Sequence, residues 1–245
     1  WPPGGPACRS VRRQLLRSDA ISREREGQLI DQTLMRHTLS MLADLGVDGF
    51  SVYEDDFERA FLEATRTFYQ RESRECLANN PCPDYMRKAE ARLSEEASRV
   101  EQYLAAATEP KLKQIAEHEL VTVHSQTLVD MENSGCVAML RDERIDDLRR
   151  MYDLFTRVPH TLECLREAVC EHVKRTGREL VSDQERIKDP VEFVKGLLQM
   201  RDKYDRVVSD AFRAEKKAQK KLKEAFEDFI NADSRCASYL VLYID

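Results

Sequence analysis

The sequence predicts an all-α protein built from long amphipathic helices, and three observations predict it. Apolar residues recur every three or four positions through most of the chain, which is the period of a helix with one buried stripe. Gly and Pro number only 8 each in 245 residues while 34% of residues are charged, so turn formers are scarce and solvated helix faces abundant. No segment alternates apolar and polar residues for long enough to make a strand.

The elements follow in order. Residues 1–6 (WPPGGP) exclude a helix start, because three prolines remove amide donors and two glycines loosen the backbone. Residues 1–12 are therefore expected to be an atypical, disordered N-terminus and are read as a truncated or misassigned beginning. One helix is predicted over residues 12–45, with Leu34, Leu39, Leu42 and Leu45 as its stripe and Gly46 as a left-handed cap. A second spans residues 51–77, burying Tyr53, Phe57, Phe61, Ala64 and Phe68. Residues 79–83 (NNPCP) make a turn, and Asp84 caps a helix whose face is Tyr85, Ala89, Leu93, Ala97, Val100 and Leu104. Pro110 opens the next, which carries Leu112, Ile115, Leu120, Val123 and Leu128 to about Met131.

Asn133, Ser134 and Gly135 interrupt the pattern, so two helical bundles are expected, over residues 13–135 and 136–245. In the second, Ile145, Leu148, Tyr152, Phe155 and Val158 form a stripe broken at Pro159. Leu162, Leu165, Val169 and Val173 form another, closed by Gly177. Asp189-Pro190 is a cap followed by a first-turn proline and starts a long helix through Phe193, Leu197, Leu198, Tyr204, Val208 and Phe212. Leu222, Phe226, Phe229 and Ile230 mark the last. An echo at a constant offset pairs Tyr53, Phe57 and Phe61 with Tyr204, Val208 and Phe212, and Leu29 and Ile30 with Leu180 and Val181, as two related bundles would.

Composition narrows the function classes. Lys plus Arg total 39 against 45 Asp plus Glu, a formal charge of −6 with both signs mixed, so nucleic acid is not called for. No apolar run approaches the roughly 18 to 20 residues that cross a bilayer, so no membrane role is expected. Seven scattered cysteines, at 8, 76, 82, 136, 164, 170 and 236, fit a reducing compartment.

No catalytic, metal or cofactor site is expected. His118-Glu119 opens like a zinc-protease helix, but the next histidine is His124, six residues on, where the metal motif requires four. Cys76 and Cys82, and Cys164 and Cys170, share that spacing and fail as chelators on the same ground. No glycine-rich phosphate loop exists. The basic run 216–223 (KKAQKKLK) is read as a solvated face over buried Ala218 and Leu222, and Glu54, Asp55 and Asp56 as complements to a helix dipole.

Several stretches resemble a cullin, the scaffold family of multisubunit RING ubiquitin ligases. They are residues 53–73 (YEDDFERAFLEATRTFYQRES), 85–104 (YMRKAEARLSEEASRVEQYL), 131–158 (MENSGCVAMLRDERIDDLRRMYDLFTRV), 189–212 (DPVEFVKGLLQMRDKYDRVVSDAF) and 226–231 (FEDFIN). The MENSG stretch and the ending FINADSR look most like the branch that recruits BTB-domain adaptors. The resemblance implies an elongated stack of helical bundles, with most of cullin repeat two in residues 13–135 and repeat three in 136–245. It implies a non-catalytic scaffold that spaces a BTB-type substrate adaptor from a RING-box protein, working in cytoplasm and nucleus. The adaptor and RING docking regions are expected to lie outside this chain, so no partner-contact residue is assigned. The stiffness of such a spacer would rest on Phe57, Phe61, Phe68, Phe155, Tyr204, Phe212 and Phe226. The alternative is a free-standing helical interaction or trafficking module.

Overall fold

A computed structural model describes residues 19–45, 51–184, 188–232, 236, 238 and 239, and every element among them is helical. The expectations for residues 1–12 and for the Gly46 cap lie outside the described residues. The chain divides into two compact units. One comprises Trp1–Asn80 and Arg87–Val123, the other Pro81–Met86 and His124–Asp245.

In the first unit, α1 (Asp19–Arg25) and α2 (Gln32–Asp44) replace the single helix expected over 12–45. Gly27 is the reason. Its φ of 87° is left-handed, its amide donates to the Glu24 carbonyl at 2.9 Å, and the Gln28 amide donates to that of Arg23 at 2.9 Å. This pair of bonds closes a helix end, and a residue with a Cβ would be strained there. Asp31 restarts the chain by accepting the Leu34 amide at 2.9 Å. The predicted leucine stripe is also corrected: Leu39 is buried, but Leu34 and Leu45 are 61% and 54% exposed, and Met35 is the second core residue.

A turn at Ser51–Tyr53 and a π-helical stretch, Glu54–Glu58, lead into α3 (Arg59–Asn79). Tyr53, Phe57, Phe61 and Phe68 are buried as predicted, and Phe57 stacks on Phe61 with ring centres 5.3 Å apart. Thr65 takes the buried place expected of Ala64. After a two-residue link, α4 (Cys82–Gln102) begins before Asp84, so that carboxylate lies inside the first turn rather than at the cap, where it still favours the helix dipole. A 3₁₀ turn, Ala106–Thr108, precedes α5 (Glu109–Glu117), with Pro110 in its first turn as expected, and a π-helical stretch, His118–Thr122, follows.

The second unit contains α6 (Ser125–Asp130), α7 (Cys136–Arg141), α8 (Ile145–Thr156), α9 (Leu162–Ser182), α10 (Pro190–Arg206) and α11 (Lys216–Ala232). A π-helical stretch, Val207–Ala211, extends α10. Gly135, before α7, admits no side chain, since a Cβ would sit 2.6 Å from the carbonyl oxygens of Met131 and Val129. Asp189 accepts the amides of Val191 and Glu192 at 2.9 and 3.4 Å, as a cap must. Of the stripe on α11, Leu222 and Phe229 are buried, whereas Phe226 is only half-buried and Ala225 fills the core position beside it. Gly177 is corrected too. It lies inside α9, and a Cβ on it would come within 2.3 Å of the Phe229 ring, so it is where α9 and α11 approach each other and not a terminator.

Candidate functional site

The densest group of titratable side chains is a buried ionic cluster in the first unit. Sequence pattern assigns the inner face of α4 to Ala97 and Val100, but Ala97 is exposed and Val100 half-buried, while Glu96 and Arg99 are 3% and 4% exposed. Their partners come from α1. Arg25, 3% exposed, donates from Nε to Glu96 Oε1 at 2.9 Å and from Nη2 to Thr65 Oγ1 at 2.9 Å. Arg99 donates to the same Glu96 oxygen at 3.0 Å and to Glu24 Oε2 at 2.8 Å, and the Tyr69 hydroxyl also donates to Glu96. Tyr103 closes the cluster by donating to Glu24 at 2.6 Å.

Aromatic faces line the remaining sides. The Arg25 guanidinium carbon lies 5.2 Å from the ring centres of Phe68 and Tyr69 and 5.6 Å from that of Phe61, within reach of the ring quadrupoles. Arg92 adds a bond from Nη1 to the Arg25 carbonyl at 2.9 Å and pairs with Glu72 at 2.6 Å. Burial raises the Glu24 carboxyl, but hydrogen bonds from Tyr103, Gln32 and Arg99 outweigh it and hold the group below the ordinary carboxylate value. Burial pushes the Tyr69 and Tyr103 phenols well up. These groups hold one another through the hydrogen bonds and ion pairs between them. The cluster therefore fastens α1 to α3 and α4.

A second buried network holds the π-helical stretch. Glu58, 3% exposed, accepts from Thr108 Oγ1 at 2.8 Å and from Lys111 Nζ at 2.6 Å, and Tyr53 reaches Thr108 at 2.9 Å. In the second unit, Arg166 grips both Glu215 oxygens at 2.9 and 2.6 Å and pairs with Glu163 at 2.8 Å, which ties α9 to the residue before α11. Tyr152 stacks on Phe212 at 5.4 Å.

The residues weighed for chemistry have structural surroundings. His118 is exposed, and Glu119 accepts from Gln70 at 3.3 Å. His124 is buried against the Tyr85 ring at 5.9 Å. Among the described residues no three His, Cys, Asp or Glu side chains converge as a metal ion would require, and the six described cysteines are free thiols. Ala218 and Leu222 are buried beneath the basic run, whose Lys220 and Lys223 pair with Glu224 and Glu227 at 3.7 and 3.6 Å. Asp55 pairs with Arg59 at 3.1 Å and Glu54 with Lys111 at 3.4 Å. No helix of the described residues is long and apolar enough to cross a membrane.

Comparison with known proteins agrees with an architecture of packed helices. A family model described as the cullin alpha solenoid domain matches residues 9–245. The chain is 44% identical to Cullin-3A of Arabidopsis thaliana over 93% of its length and 40% identical to Cullin-3 of Dictyostelium discoideum over 97%. It is 32% identical to Cullin-3 of Caenorhabditis elegans over 93%. The chain spans about a third of those relatives, 31%, 31% and 30% of their lengths.

Proposed function

The chain belongs to the cullin family, and from that premise we propose that it is part of the scaffold of a ubiquitin ligase of the cullin-3 type, a spacer without chemistry of its own. Residues 13–135 correspond in this reading to most of cullin repeat two and residues 136–245 to repeat three. The parent protein holds a BTB-type substrate adaptor on one side and a RING-box protein with the ubiquitin-charged enzyme on the other. Transfer by proximity needs the acceptor lysine and the thioester kept within reach, so stiffness is what the spacer contributes.

The observation that carries the reading is the cullin match across residues 9–245. Buried clamps at Arg25 and Glu58 in the first unit and at Arg166 in the second support this reading, since each ties helices together within its own unit. Family membership counts against a free-standing trafficking module. Cytoplasm and nucleus remain the proposed location, with which six free thiols are compatible.

Reconstitution of the full-length parent with adaptor, RING-box protein and charging enzymes tests this. Phe155→Asp, which buries an unpaired charge in the second unit, is expected to cut substrate ubiquitylation at least tenfold while adaptor binding persists. Undiminished transfer by a variant shown to be locally unfolded would reject the spacer role.

A further inference from the structure

A buried imidazole sits among three helices of the second unit. His172 on α9 is 9% exposed, and its ring meets that of Tyr204 on α10 edge-on, with centres 5.9 Å apart. Its Nδ1 lies 3.2 Å from Nη2 of Arg175, one turn along the same helix. A guanidinium has hydrogens to give and no lone pair to offer, so Nδ1 is the acceptor and the neutral ring carries its hydrogen on Nε2. A second proton on the ring would set a donor against a donor.

The charges acting on the ring are those of Arg175, of Lys203 on α10 and of Arg141 on α7, all positive. Lys203 is anchored there, with Nζ 3.1 Å from the Glu143 carboxylate and 3.4 Å from the Arg141 carbonyl oxygen. The carboxylates nearby, Glu143 and Glu179, act on the Tyr204 hydroxyl, which is hydrogen-bonded to Thr176. Burial first, and then the three cations, push the imidazole from its ordinary 6.5 down to about 4.

We infer that His172 is an acid-sensitive joint of the second unit: its protonation abolishes the hydrogen bond from Arg175 and adds a positive charge to the contact between α9 and α10, which then loosens. Because the folded state resists the proton more than the unfolded chain does, the unfolded chain takes it up first. The contribution of His172 to stability is undiminished above about pH 6.5 and falls as the pH drops from there to about 4.

Imidazole NMR signals of the whole chain, followed from pH 8 to 4, test the inference. The His172 signal, identified as the one missing from His172→Gln, is expected to keep its neutral position down to about pH 5.5 and to move only below that. In urea titrations the unfolding constant of the wild type should rise roughly tenfold to 30-fold more between pH 7 and pH 5 than that of the variant. A His172 midpoint between pH 6 and 7, or the same acid loss in both proteins, overturns the inference. Should His172→Gln fail to fold, sequential assignment of the wild-type ring signal gives the midpoint and decides the matter.

Discussion

Glu96 takes hydrogen bonds from Arg25, Arg99 and Tyr69 on one carboxylate oxygen, inside the first unit and out of reach of water. Taking a carboxylate and two guanidiniums out of water is costly, and the arrangement persists because each cation has a second acceptor, Thr65 for Arg25 and Glu24 for Arg99. Glu96→Ala leaves both cations buried without their shared anion and is expected to lower stability by about 3–5 kcal/mol, read as a shift of the urea midpoint. Glu96→Gln keeps the shape and part of the bonding, so it should cost less. An unchanged midpoint for the alanine variant would show that the cluster holds nothing. Gly177 is the opposite kind of residue, chosen for what it lacks. Gly177→Ala drives a methyl group into the Phe229 ring and is expected to cost about 1–3 kcal/mol. Combining it with Phe229→Leu should recover part of that loss, because residues in contact do not add independently.

Helix ends show which local signals survive folding. The Asp189-Pro190 start is a dipeptide signal, since a carboxylate one residue before a proline can reach the free amides of the first turn wherever the helix packs. Asp189→Ala should therefore cost about 1 kcal/mol and Asp189→Asn much less, as measured by thermal unfolding. Gly27 was legible in the same way, because a glycine followed four residues later by Asp31 marks a stop and a start. The leucines beyond it fit one continuous helix, so their stripe masks the punctuation. The π-helical stretches at Glu54–Glu58 and Val207–Ala211 fall where the internal echo pairs Phe57 with Val208. Leu29 is 103% exposed in a loop while its counterpart Leu180 lies in α9, so the echo does not extend that far.

At the scale of the whole chain, thiol chemistry reports on packing. Cys76, Cys82, Cys136, Cys170 and Cys236 are buried and Cys164 is half-buried. Burial pushes Cys82 up to about 12 and raises Cys136, Cys164 and Cys170 as well, so thiolate is scarce at neutral pH. Iodoacetamide at pH 7.5 is expected to modify Cys164 before the other described cysteines, with all of them reacting in 6 M urea when peptides are read by mass spectrometry. Rapid native labelling of Cys82 or Cys136 would contradict their burial. The sequence by itself determined the helical class, the aromatic stripes at Phe57, Phe61, Phe155 and Phe212, the Asp189 cap and the cullin family, because periodicity, capping and motif are properties of neighbours along the chain. Tertiary structure alone decided that Glu96 and Arg99 face inward, that Gly177 marks a helix crossing and that Pro81–Met86 joins the second unit. A charged residue looks solvent-facing until an opposite charge 71 positions away, Arg25 to Glu96, arrives to take the place of water.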